Sequence, residues 1–387
     1  MAAITLTFTS ASAVPSPLYV VYQEMWGFSA GTLTVIFGVY AVSLLASLLL
    51  VGALSDHVGR RPVLFAAIFV EAVSLVLFLV ANDVIVLSVA RIVQGFATGA
   101  ALATLGAALV DLQPASAPKR GGLVTGVTPM LGLAFGALGC GLLLQLAPAP
   151  TSLVFIILLV ALAFSALAVW LAPETSLMKP EARSSLHPRV GLPQHLKKDM
   201  LSVAPILIAS WALGGLYMSL GPSIAGELFG VDGHLVGGIV VFTLCGTGGL
   251  SAYLLRENDP QDLLILSSSF LVAGLAVTLG GLEFNSVWLS FAGTIVSGVG
   301  FGAAALAGFG TLAKVALAEE RGEIFALAYV ISYLAYSLPA VIGGFAANEF
   351  GLRSTTLVYG AAMLLLSVLA FFSGEYERRQ RRTSAPA

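Results

Sequence analysis

The sequence predicts an all-α membrane protein: twelve transmembrane helices in two six-helix bundles, with both termini cytoplasmic. Three observations carry that prediction. Apolar runs of about 18 residues or more, each long enough to span a bilayer as a helix, recur along the whole chain. Its 387 residues are 58% hydrophobic and only 10% charged, with a mean hydropathy of +0.97. The 18 Lys and Arg residues segregate into alternate connections, and a single long polar stretch divides the runs six and six. Soluble domains carry about 25% charged residues, so an ordinary cytosolic enzyme is excluded. The net charge of −2 excludes a nucleic-acid binder acting through a basic surface. Cys140 and Cys245 both sit inside apolar runs, so no disulfide framework is expected.

The runs place helices at 3–22, 30–51, 62–81, 84–107, 121–145, 151–172, 201–222, 234–254, 262–281, 286–312, 322–346 and 352–373. The first begins almost at Met1, with no basic residues ahead of it and no small-residue cleavage site, so no signal peptide is expected. Sixteen basic residues fall in one set of connections: Arg60 and Arg61, Lys119 and Arg120, five between Lys179 and Lys198, Arg256, Lys314 and Arg321, and four from Arg378 to Arg382. The positive-inside rule makes that set cytoplasmic. The other loops hold only Arg353, and Arg91 lies within a span. Trp26 and Trp288 then fall at the outer interface and Trp170 at the inner one, as an aromatic belt requires. Residues 1–173 form the first bundle, 174–200 a linker, 201–374 the second bundle and 375–387 a basic tail.

The two bundles carry traces of duplication. A shift of 203 lays Ile92-Val93-x-Gly95-x3-Gly99-Ala100-Ala101 on Ile295-Val296-x-Gly298-x3-Gly302-Ala303-Ala304, helix 4 on helix 10. A shift of 201 lays Arg120-Gly121 on Arg321-Gly322 and Leu133-Ala134-Phe135 on Leu334-Ala335-Tyr336, helix 5 on helix 11. Parallel repeats of this kind build two-lobed secondary transporters, with substrate bound between the lobes. The glycine pairs at i, i+4 admit close helix packing. A nucleotide-binding reading of Gly298-x-Gly300-x-Gly302 fails, because no strand precedes it and no helix opens there.

Between helices 2 and 3 stands Gly52-Ala-Leu54-Ser-Asp56-His57-Val-Gly59-Arg60-Arg61-Pro62. It resembles the G-x-L-a-D-r-x-G-r-r/k loop signature of the major facilitator superfamily, with His57 at a usually basic position. Arg91-x-x-Gln94-Gly95-x3-Gly99-Ala100 is similar to that family's helix 4 element. Gly132-x3-Gly136-Ala137-x-Gly139-Cys140-Gly141 is similar to its antiporter element in helix 5, with Ala137 in place of a proline, and so resembles the drug/proton antiporter-like branch. Pro173-Glu174-Thr175 closes helix 6 as it often does in the family. The resemblance implies a twelve-helix alternating-access transporter whose helices 1, 4, 7 and 10 line a central cavity. It also implies a cytoplasmic latch of Gly52, Asp56, Gly59, Arg60, Arg61 and Asp111, with the Asp56 carboxylate meeting the start of helix 11 at Gly322. The alternative is that Asp56, Arg60 and Arg61 are loop charges that only set topology.

Two charges lie deep in spans, Glu71 and Arg91. An unpaired charge there costs about 3 kcal/mol on insertion scales. At 1.5 Å per residue they sit about 17 and 13 Å below the turn at Asn82-Asp83. A direct Glu71–Arg91 pair is therefore expected, either as a packing lock or as a proton-sensitive coupling element. The cavity candidates are Ser12, Tyr19, Gln94, Trp211, Tyr217, Thr294, Tyr333 and Tyr336; around Ser12, Pro15 and Pro17 free backbone groups in helix 1. No P-loop is present, so ATP hydrolysis by this chain is excluded. The four histidines show no metal-ligand spacing on a helix. No enzyme activity, metal or cofactor is expected.

Together these features predict a monomeric, multi-pass transporter of a bacterial-style plasma (inner) membrane, exporting an amphiphilic or weakly polar small molecule by proton coupling. A facilitator or importer of a neutral metabolite, and a non-transporting sensor or lipid-handling relative, are the alternatives.

Overall fold

The computed structural model describes all residues except 115, 117–119, 181–189, 231–232, 318 and 385–387, so Lys119 and the linker positions Arg183, His187, Pro188 and Arg189 lie outside the described residues. Twelve helices are long and apolar enough to cross a membrane: α1 Ala2–Trp26, α2 Ala30–Val51, α3 Arg60–Val80, α4 Val84–Asp111, α5 Gly121–Leu146, α6 Thr151–Leu171, α7 Gln194–Ser219, α8 Leu235–Leu254, α9 Pro260–Glu283, α10 Val287–Val315, α11 Arg321–Phe350 and α12 Leu352–Tyr376. Among the described residues there is no strand.

Most ends agree with the sequence to within a few residues; two differences have physical causes. The helices α4, α10 and α11 run past the apolar windows, because a helix continues into its polar flank until a cap or glycine stops it. α11, for example, ends at Gly351 with φ +82°. Helix 7 begins earlier than expected and stops at Ser219. Gly221-Pro222 breaks it, and a π-turn at Ile224–Leu228 follows.

The α3–α4 and α9–α10 hairpins share one register. Asp83 caps α4 by accepting from Val86 N at 2.8 Å, and Ser286, 203 residues later, caps α10 by accepting from Leu289 N at 3.3 Å. Each set of six spans packs its own interior. Phe8, Leu64, Leu75, Leu87 and Phe155 are fully buried in the first set, and Leu213, Leu244, Leu271 and Ala304 in the second. The sets meet through α2 against α11 and α5 against α8. Small residues permit both approaches: Gly344 lies on Thr34, and Gly238 on the Ala137 carbonyl, so closely that a methyl group would overlap them.

Candidate functional site

The polar centre begins with a proline. Pro15 has no N–H, so the Ala11 carbonyl loses its helical donor and the hydrogen-bond ladder of α1 is interrupted near Val14. The side chain of Gln94 on α4 fills that vacancy, its Nε2 donating to Ala11 O at 3.1 Å. Arg91 Nη1 donates to Ser12 O at 3.2 Å and to Gln94 Oε1 at 2.6 Å. Gln94 Nε2 also donates to Glu71 Oε1 at 3.2 Å, and the Thr98 hydroxyl reaches Glu71 Oε2 at 3.5 Å. Glu71, Gln94 and Arg91 are 0%, 0% and 1% exposed.

This corrects the expected direct ion pair. The guanidinium and the carboxylate do not touch; the Gln94 amide stands between them, accepting from one and donating to the other. Only a group with both functions can do so. Gln94 is placed for it, one helical turn from Arg91 on the same face of α4, while the kink carbonyl of Ser12 holds Arg91 toward α1.

The outer side of the guanidinium is aromatic. Arg91 Cζ lies 3.9 Å from the Tyr40 ring centroid and 5.9 Å from that of Tyr19. Tyr40 packs in one cluster with Tyr333 of α11. Phe37 and Tyr336 meet at 4.9 Å, and Trp211 lies 4.9 Å from Tyr333 and 6.0 Å from Tyr336. Ser12, Tyr19 and Gln94 thus lie next to Arg91, and Tyr40 joins it to a cluster with Trp211, Tyr333 and Tyr336 at the seam between the two sets of spans. Tyr217 and Thr294 are not part of it. They hydrogen-bond each other at 2.7 Å inside the second set. Tyr40 was not among the sequence candidates. Its only sequence signal is an aromatic residue halfway along helix 2, which a packing role explains equally well.

At the basic end, the short helix Ser55–Val58 leads into Gly59, whose φ of +109° suits glycine alone. Arg60 pairs with Asp56, donates from Nε to Asp111 Oδ2 at 3.2 Å and from Nη1 to Ser55 Oγ at 2.6 Å. Arg61 Nη2 donates to Trp170 O at 2.8 Å. The expected meeting of Asp56 with α11 is not made. Asp56 engages Arg60 within its own loop, and the space beside Gly322 is open. The residue that caps a helix here is Glu174, whose carboxylate accepts from Arg60 N at 2.8 Å, Arg61 N at 3.0 Å, Thr175 N at 3.0 Å and Ser176 N at 2.9 Å. Partial burial works against its charge, but these N–H groups outweigh it and hold the carboxyl below its ordinary range. Pro173-Glu174-Thr175 marked the spot in sequence, though only as the end of helix 6.

At the opposite end the two sets are clasped. Asn348 Oδ1 accepts from Gly31 N at 3.4 Å, and its Nδ2 donates to Ser29 Oγ at 3.3 Å. Among the described residues no group of three or more His, Cys, Asp or Glu is placed to hold a metal ion.

A two-lobed bundle of twelve spans, with polar and aromatic side chains buried at its seam, is the architecture of membrane transporters. The family model of the Major Facilitator Superfamily matches residues 1–277, and the chain belongs to that superfamily. Three solved structures of similar fold are the nucleoside transporter NupG (13% identity, TM-score 0.72, covering 96% of this chain and 98% of that one), a D-xylose–proton symporter (14%, 0.71, 96% and 95%) and the human organic anion transporter MFSD10 (15%, 0.68, 95% and 98%). At such identities the likeness is one of fold.

Proposed function

We propose that the chain is a monomeric secondary transporter of the plasma (inner) membrane that exports an amphiphilic or weakly polar small molecule in exchange for protons, by alternating access between residues 1–173 and 201–374. The observation that carries this is the buried chain Glu71–Gln94–Arg91, whose cation faces aromatic side chains from both halves. Glu71 is the one acid in the middle of a span among the described residues. Proton uptake there changes the cluster's formal charge from zero to +1, and the bonds that respond run through Gln94 to the α1 kink. Tyr40 carries that change to Tyr333 and Tyr336, so the fit of the halves senses it. The aromatic wall suits a substrate with apolar surface, and the resemblance of the α5 stretch to the antiporter element favours export.

Gly52, Asp56, Gly59, Arg60, Arg61 and Asp111 act in this scheme as one side of a cytoplasmic latch, released in the present state while Asn348 clasps the outer side. Gly322 at the α11 N-terminus is its partner when the cytoplasmic side shuts, the positive end of the helix dipole receiving Asp56. In Asp56→Asn, single-cysteine labelling on the two cytoplasmic faces should shift toward the open state and transport should fall; unchanged labelling and flux would remove the latch.

Proteoliposome flux with and without a pH gradient tests the coupling. The double variant Glu71→Gln with Arg91→Met should fold and lose its response to the gradient. Full gradient-driven flux in a stable double variant would overturn the assignment. Flux indifferent to pH in the unaltered protein would instead favour a facilitator of a neutral metabolite.

A further inference from the structure

Bounded by α7, α8, α9, α10 and α12, at the end away from the basic face, is a partly open cavity of about 370 Å³, a size in the range of small-molecule sites. Leu216, Ile239, Leu279 and Phe291 are among its apolar walls, and Trp288, 82% exposed, and Phe229 stand at its rim. Its hydroxyls are already committed. Tyr217 bonds Thr294 at 2.7 Å, Thr294 donates to Ser290 O at 2.9 Å, Ser290 to Thr278 O at 3.3 Å, and Thr278 to Gly274 O at 2.9 Å. A buried water needs two to four polar partners, and a polar ligand needs donors or acceptors. Inside its rim this cavity has no hydroxyl hydrogen to spare for either.

The shared hairpin register shows where the space comes from. At the offset of 203, three lining residues, Thr278, Ser290 and Thr294, stand where the first half has Leu75, Leu87 and Arg91, all buried and all larger. Gly274 and Gly281 stand in place of Glu71 and Phe78. Methyl groups on them would overlap the backbones of Ser297 and Ser290, so α9 is drawn tightly onto α10. α8 meets α10 nearer the basic end, where Gly302 lies on the Gly248 carbonyl and Ser251 donates to Val299 O at 2.9 Å. The space among the five spans at the other end is left unfilled.

We propose that this cavity is a binding site for an acyl chain of a bilayer lipid, with the headgroup level marked by Trp288. A void inside a packed bundle forfeits dispersion contacts on every wall. Around a spanning bundle the available apolar molecule is the hydrocarbon of the membrane itself, and tryptophan belongs at the boundary between chains and headgroups. The site is separate from the aromatic seam around Arg91 and stands whether or not that seam carries the substrate.

The test compares the unaltered protein with two filled variants in nanodiscs of phosphatidylcholine bearing brominated acyl chains. One variant, Thr278→Leu with Ser290→Leu, restores the first half's residues; the other, Val240→Phe, fills from a different wall. Native mass spectrometry after transfer to detergent should find one phosphatidylcholine per chain retained by the unaltered protein and lost in both variants. Bromine quenching of tryptophan should fall in parallel, and that difference should vanish in a Trp288→Phe background. Melting temperatures identify a variant that has merely unfolded. No lipid retained by the unaltered protein would mean an empty, dry cavity and would overturn the proposal. Equal retention and quenching in a filled variant that melts normally would place the lipid on the outer surface and overturn it too.

Discussion

The α3–α4 hairpin and the α9–α10 hairpin turn on equivalent caps, run in one register and reach opposite interiors. At positions 71, 91 and 94 the first holds a carboxylate, a guanidinium and the amide that joins them; at 274, 294 and 297 the second holds glycine, threonine and serine. The charged hairpin spaces its helices with long side chains tied into α1 by hydrogen bonds. The neutral one closes α9 onto α10 backbone against backbone and leaves a hollow beside it. The difference teaches that a buried network and a glycine contact are alternative ways of setting a helix–helix distance. Only the first creates a group that can change charge, and only the second creates empty apolar space.

The largest expected effect breaks the first arrangement. Arg91→Ala strands Glu71 as an uncompensated buried charge and removes the bond to the Ser12 carbonyl, a loss of about 3–5 kcal/mol. The equivalent Thr294→Ala removes two hydroxyl bonds, to the Ser290 carbonyl and from Tyr217, about 1 kcal/mol each. Thermal unfolding in a single detergent should show a clearly larger shift for the first variant. Equal shifts would mean that the Arg91 cluster bears no more load than its neutral counterpart, and the comparison would fail.

An intermediate effect probes the second arrangement. In Gly274→Ala the new methyl meets the Ser297 backbone, which cannot rotate aside, so overpacking should cost about 1–3 kcal/mol. Glu71→Ala at the equivalent site removes bulk rather than adding it. Disulfide trapping across α9 and α10 should slow in Gly274→Ala, whereas the α3–α4 pair should be unaffected by it. Unchanged trapping would show that glycine contact does not set the α9–α10 distance.

These contrasts mark what the sequence could disclose. Span number and the division into halves follow from run length and charge segregation, which are summed over many residues and survive local errors. The identities of Glu71, Arg91 and Gln94 were also visible, but their connection was not. Depth along a helix does not say which of two acceptors a guanidinium takes, and the Ala11 carbonyl is open to Gln94 only because Pro15 has no N–H. The contact of Asp56 with Gly322 was drawn from family resemblance, whereas the carboxylate here takes Arg60 of its own loop. The hollow in the second half was invisible for a different reason: it is made of atoms that residues 278, 290 and 294 do not have.

The smallest effect concerns how each hairpin is anchored at its basic end. α9 is capped locally: Asp259 accepts from Gln261 N at 3.0 Å and holds Lys314 Nζ at 2.5 Å. α3 is capped from a distance by Glu174, which ties it to the end of α6. Glu174→Ala should cost about 1 kcal/mol at neutral pH, in the range of a lost helix cap. The pH dependence fixes the mechanism. Because the folded protein holds this carboxyl below its ordinary value of 4.5, its contribution is fully present above that value and is lost as pH falls through the lower, folded one. The unaltered protein should therefore shed part of its melting temperature below about pH 4.5, and Glu174→Ala should lack that part of the slope. Parallel melting curves for the two proteins from pH 7 to pH 3 would show that the carboxylate is a spectator at the α3 N-terminus, and that both hairpins rest on local caps alone.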